Sequence, residues 1–135
     1  MVNDVLVNKA AIIERCLKRI EEEYCGHESE LETNFTRQDS ILLNLQRACE
    51  ASIDAAMHIV RSNKLGVPQE SRAAFQMLCD ADFIDKNLQH RLQAMVGFRN
   101  IAVHDYRNLN LEIVQSILNE RLGDFHDFVK VLLAL

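Results

Sequence analysis

Between Val5 and Tyr24 the apolar positions Val5, Ile12, Ile13, Cys16, Leu17, Ile20 and Tyr24 recur with charged residues between them. That is the 3.6-residue period of an amphipathic helix, and it predicts a first helix over 5–24. The polar CGHESELETNF that follows contains Gly26 and has no period, so it reads as a loop with at most a frayed turn. Thr36 with Asp39 three residues later resembles a capping box and predicts the start of a long helix. Its face runs through Ile41, Leu42, Leu45, Ala48, Cys49, Ser52, Ala56, Ile59 and Val60 to about Asn63, where SNKLGVP stops it with Gly66 and Pro68. The small side chains on that face permit a close approach by another helix.

Pro68 ahead of QESRAAFQMLC signals a short third helix, because proline's missing N–H costs nothing in a first turn. After the turn-like DADFID comes KNLQHRLQAMVGF, with Leu88, Leu92, Met95, Val96 and Phe98 on one face. Asn110 then offers a cap for a last helix carrying Ile113, Ile117, Leu118, Leu122, Phe125, Val129 and Leu132. Within it only Gly123 interrupts, at a cost of about 1 kcal/mol relative to alanine. The terminal VKVLLAL ends a core helix or forms part of a dimer seam. With no alternating run that asks to be a strand, and no repeat, the predicted class is all-α: an up-and-down bundle of about five helices.

A chain of 135 residues is long enough to bury a core unaided and fits one domain, 1–135. Hydrophobic residues make up 48% and charged residues 26%, the balance of a folded helical protein and not of a disordered one. No basic segment precedes an apolar run at the start, and no stretch approaches the roughly 18 apolar residues of a membrane span. A cytoplasmic protein is expected. Cys16, Cys25, Cys49 and Cys79 are scattered without CxxC or Cys/His zinc spacing, and read as four buried, reduced thiols.

The net charge of −5 argues against nucleic acid when averaged over the chain. The average hides an asymmetry. Residues 21 to 32 hold six glutamates and no lysine or arginine, whereas the segment from Lys86 to Arg107 carries Arg91 and Arg99 besides, with His90 and His104, against Asp105 and the preceding Asp85. An anion would be met by the second region.

Within that region FRNIAVHDYR, residues 98 to 107, gathers Arg99, His104, Tyr106 and Arg107 beside Phe98, Ile101 and Val103. Arg99 and His104 are five apart, which on an ideal helix points them about 140° from each other. They converge on one atom if the helix ends or distorts between them, or if a second copy of the chain supplies the partner. Asn100 and His104, four apart, lie on one face. An arginine and a histidine without a metal cluster are the minimum for breaking RNA. Imidazole, with its unperturbed pKa of about 6.5, can take the 2′-OH proton or give one to the leaving 5′-oxygen. Guanidinium holds the phosphorane charge through a fork that never deprotonates. A dimer would bring two histidines, one for each proton step. The structural alternative pairs Arg99 with Asp105 or an acid elsewhere, satisfies His104 in the core or at a helix end, and leaves Tyr106 packed with a wet hydroxyl.

The segment RNIAVHDY at 99–106 resembles the R-x4-H-x-Y signature of HepT-like toxins, a branch of the HEPN (higher eukaryotes and prokaryotes nucleotide-binding) superfamily. DSILLNLQRACEASIDAAMHIV, KLGVPQESRAAFQML and AMVGFRNIAVHDY resemble the pattern of that family over nearly the whole chain. The resemblance implies a HEPN-like helical homodimer whose R-x4-H elements face each other in a cleft, acting as a metal-independent RNase. It implies a toxin of a two-component, type II toxin–antitoxin system. Its partner would be a minimal nucleotidyltransferase antitoxin of the MntA type, which neutralises the toxin by transferring AMP to the motif tyrosine. Residue by residue, Arg99 would stabilise phosphate, His104 would do acid/base work, Asn100 would support them and Tyr106 would be the modified residue. A phosphodiester on Tyr106 would bring negative charge and bulk against RNA phosphate.

Other groups carry less. Asp80, Asp82 and Asp85 suit a capped, solvated turn better than a divalent metal, and no metal or other cofactor is expected. Asp54 and His58 read as an exposed or interface hydrogen-bonded pair before a pair that meets at a ligand, Cys25 and His27 as a pair without further partners, and the 21–32 glutamates as a solvated face or, less simply, a dock for a basic partner. The competing function class is a HEPN module that binds nucleotide or protein without cutting.

Overall fold

The computed structural model describes residues 3–104 and 110–135, the side chains of residues 103 and 104 excepted. The described residues form six α-helices and one short 3₁₀ turn: α1 (Asp4–Tyr24), the turn Glu28–Glu30, α2 (Phe35–Ser62), α3 (Ser71–Asp80), α4 (Lys86–His104), α5 (Leu111–Glu120) and α6 (Leu122–Leu133). No strand occurs among them.

The long α1 and α2 lie along each other, α6 closes over α1, and α4 packs against α2, α3 and α6. The alanine-rich face of α2 makes this possible, since Ala48, Ala55 and Ala56 are fully buried and keep the helices close. Leu17, Ile20, Leu45, Ile59 and Leu78 fill the centre, and Phe75 of α3 meets Phe128 of α6 edge to face with ring centroids 5.7 Å apart.

The helix ends differ from the sequence expectation in instructive ways. The cap of α2 is Asn34, whose side chain accepts from the Arg37 N–H at 3.2 Å, and not Thr36; asparagine is among the strongest N-caps and starts the helix two residues sooner. Asn3 caps α1 in the same way, accepting from Leu6 N–H. The buried stripe of α1 runs Leu6, Ala10, Ile13, Leu17, Ile20 and Tyr24, which turns Val5 outward. Asp85 accepts from Leu88 N–H at 2.7 Å and opens α4. Asn110, as expected, caps α5 by accepting from Glu112 N–H.

Where one last helix was expected the chain makes two, so the described residues form six helices where about five were expected. The break falls at Arg121, where Asp124 N–H bonds the Arg121 carbonyl three residues back, and not at Gly123. Because Val114, Ile117 and Leu118 are continued in phase by Phe125, Phe128 and Val129, the periodicity carries no mark of it. Ile113, counted among the apolar face, is half exposed. The four thiols are all free, but only Cys16 and Cys49 are buried; Cys25 is exposed and Cys79 intermediate.

Candidate active site

The helix that carries the motif is fastened along its length. Leu88, Leu92, Met95, Val96, Phe98 and Ala102 are buried, and the Cys49 thiol of α2 approaches the Met95 carbonyl at 3.7 Å. Burial pushes that thiol up to about 12, with the neighbouring Glu50 carboxylate adding to the rise and Arg99 opposing it. On the α3 side, Gln93 Nε2 donates to the Arg72 carbonyl at 3.0 Å while Arg72 Nε reaches the Gln93 carbonyl at 3.5 Å. Gly97 makes room for this clasp. A Cβ there would stand 2.8 Å from an Arg72 guanidinium nitrogen.

Arg99 leaves α4 towards α2 and α3. Its Nη1 donates to Glu50 Oε1 at 2.9 Å and its Nη2 to Ser71 Oγ at 3.0 Å, while its Nε is buried without a hydrogen-bond partner among the described residues. Among the described residues the acid that pairs with Arg99 is Glu50, 49 residues back in the chain. The guanidinium side chain is 19% exposed and the Glu50 side chain 41%, so the pair sits at the surface with its edge open to solvent.

Helix α4 continues unbroken to His104, which removes a helix end or break before His104 as the way to bring Arg99 and His104 together. Positions 99 and 104 lie about 140° apart around one continuous helix. Asn100 is partly buried one residue beyond Arg99, on the helix face that position 104 shares. Tyr106, with Asp105 and Arg107, lies outside the described residues.

The basic region is less free than its composition suggests. Arg91 Nη1 donates to Asp124 at 2.7 Å and Asp127 at 2.9 Å, and its Nε to Asn87; those carboxylates, Asp124 first, hold its guanidinium above the ordinary arginine value. A cavity of about 620 Å³ opens on another side of α4, lined by Ala94, Met95, Phe98, Ile101, Ile113 and Ile117 among others. Arg99 does not line it.

The remaining candidates settle into structural roles. Among the described residues no group of three His, Cys, Asp or Glu side chains could hold a metal ion. Asp54 and His58 do not pair with each other: Asp54 meets Lys9 at 3.3 Å, and His58 Nε2 lies 3.2 Å from Ser62 Oγ and 3.3 Å from Asn3 Nδ2. His27 meets Glu30 at 2.8 Å, and that bond, with one from Asn34, holds the Glu30 carboxyl below its usual range. Glu22, Glu23 and Glu30 of the acidic run pair with Arg19 and Arg37. No helix of the described residues is long and apolar enough to cross a membrane.

Residues 13–132 match the model of the family described as ribonuclease HepT-like. The chain belongs to that family. Over 133 residues, 98% of this chain and 99% of the relative, it is 50% identical to the mRNA nuclease HepT of Shewanella oneidensis. A tri-AMPylated HEPN toxin from the same organism, solved in complex with an MNT antitoxin, superposes with a TM-score of 0.93 at 49% identity, covering 99% of this chain and 100% of that one. A toxin–antitoxin structure with AMP-PNP gives the same score and identity over 98% of this chain and 100% of its counterpart. The all-helical architecture of this HepT-like chain is therefore that of solved HEPN toxins. Glu50 and Ser71 were not singled out from the sequence, because they meet Arg99 only through the packing of α2 and α3 on α4.

Proposed function

We propose that this HepT-like protein is the toxin of a toxin–antitoxin pair: a metal-independent endoribonuclease whose Arg99 and His104 act on the RNA phosphodiester. The carrying observation is the 50% identity over nearly the full chain to an mRNA nuclease. An arginine fixed on α4 five residues before a histidine on the same helix fits the reading.

In this mechanism one His104 imidazole removes the 2′-OH proton and the 2′-oxygen attacks phosphorus. The P–O5′ bond breaks as a second imidazole protonates the leaving oxygen. Arg99 holds the charge on the non-bridging oxygens through donors not taken by Glu50 and Ser71. The products are a 2′,3′-cyclic phosphate and a 5′-hydroxyl. Because α4 is continuous through both residues, the two-histidine arrangement needs a second copy of the chain, with the α4 helices facing each other across a cleft and Asn100 lending polar support. Residues 1–135 act as one HEPN-like domain in that homodimer, and the free cysteines suit the reducing cytoplasm.

Regulation follows from Tyr106. A nucleotidyltransferase antitoxin of the MntA type joins AMP from ATP to the phenol oxygen and releases pyrophosphate, placing a phosphodiester two residues from His104. That the homologous HEPN toxin is solved tri-AMPylated with an MNT antitoxin supports the pairing. Two variants test the reading. Arg99→Ala abolishes cleavage with the fold intact. In the competing binding module the same change would alter only affinity or stability, through the bonds of Arg99 to Glu50 and Ser71. Tyr106→Phe still cuts RNA but escapes silencing by the antitoxin and ATP; full inhibition of Tyr106→Phe would show that binding alone neutralises.

A further inference from the structure

We infer that Glu50 and Ser71 are positioning residues for the nuclease, holding the Arg99 guanidinium in the orientation in which its remaining donors meet the scissile phosphate; this rests on the nuclease reading above. Arg99 is the only arginine of the motif helix that reaches both α2 and α3 among the described residues, through Glu50 Oε1 at 2.9 Å and Ser71 Oγ at 3.0 Å. These acceptors lie on different helices and take different nitrogens. Two bonds from two directions fix both the plane of the guanidinium and its rotation within that plane, which one ion pair on a flexible stem does not. Each Nη nitrogen carries two N–H groups, so the bonds to the described residues leave one on each.

The supports are themselves rigid. Glu50 sits on α2 between buried Cys49 and Ala51, and Ser71 opens α3, whose next residue, Arg72, is clasped reciprocally to Gln93 of α4. The three helices therefore meet at the arginine. Glu50 also offsets part of the positive charge, so it works against tight binding of RNA while favouring correct placement. That opposition separates the two effects in kinetics. A misplaced catalytic group costs rate, on the order of 100-fold for about 1 Å, whereas removal of a competing carboxylate leaves binding unchanged or stronger. The Glu50 carboxylate is 41% exposed, so water can take its place beside the guanidinium and its removal leaves a folded protein.

The experiment is steady-state RNA cleavage by the full-length protein, with its mass showing no added AMP, for Glu50→Ala, Glu50→Gln, Ser71→Ala, Ser71→Thr and Arg99→Ala. Expected for Glu50→Ala is a kcat lower by about tenfold or more with KM unchanged or reduced. Glu50→Gln, which keeps an acceptor oxygen in place, recovers most of the loss. Ser71→Ala shows a smaller fall in kcat that Ser71→Thr restores. A purely structural role would instead lower the melting temperature and the folded fraction while kcat per folded molecule stayed at the wild-type value. The proposal is overturned by wild-type kcat and KM in both Glu50→Ala and Ser71→Ala beside an inactive Arg99→Ala, an outcome that leaves the nuclease reading standing. Wild-type cleavage by Arg99→Ala would instead remove the nuclease role of Arg99 itself, and this inference with it.

Discussion

Cys49 and Cys25 carry the same side chain into opposite surroundings. Cys49 lies in the core where α2 meets α4, with its thiol pushed up to about 12 by burial, while Cys25 follows α1 in the open. Only the thiolate is nucleophilic, so iodoacetamide at pH 8 should alkylate Cys25 in the native protein and spare Cys49 until the chain unfolds. Rapid labelling of Cys49 in the native protein, read by peptide mass, would contradict this. The same shift predicts a pH dependence. An unfolded thiol loses its proton near the ordinary value of 9.0 and the folded one near 12. Between these the native state holds more protons, so stability is complete below 9 and falls with rising pH by about 1.4 kcal/mol per unit from this group. At this scale the sequence is most informative about chemistry and least about partners: the motif displays Arg99, His104 and Tyr106, but nothing in a linear spacing shows that Glu50 and Ser71 hold Arg99.

At the scale of the helices, α4 is tied to α6 by more than apolar packing. Arg91 bridges the buried Asp124 in the first turn of α6 and the more exposed Asp127 beside it. Asp124 gains from the helix N-terminus, yet a buried carboxylate without its cation is costly. Arg91→Ala should destabilise the fold by about 2 kcal/mol, somewhat below the range for fully buried pairs because Arg91 is partly exposed. Asp127→Ala, at a solvated position, should cost under about 1 kcal/mol. Urea unfolding of the two variants checks the order; equal losses would mean that Asp124 does not depend on Arg91. The helices themselves were largely legible, since amphipathic periods and caps such as Asn110 are local signals. The division of the last helix at Arg121 was not, because the apolar stripe of α5 continues in phase into α6. Asn34 and Thr36 are both capping residues two positions apart, and only the hydrogen bond from Arg37 N–H decides for Asn34.

For the whole molecule, the fold class could be read from the sequence because no segment favours a strand and each helix has a face to bury. The assembly could not. A continuous α4 keeps positions 99 and 104 on different faces of one helix, so the proposed chemistry belongs to a pair of chains and not to one. The acidic balance of −5 likewise says little about RNA, because binding depends on the local site, where Glu50 already offsets one charge. The central claim is that His104 drives RNA cleavage without a metal. Its most direct test is RNA cleavage in EDTA by protein whose intact mass shows no AMP, beside His104→Ala purified identically. The account predicts cut RNA ending in 2′,3′-cyclic phosphate for the wild type and intact RNA for His104→Ala; no cleavage by either protein across a range of cellular RNAs would contradict it.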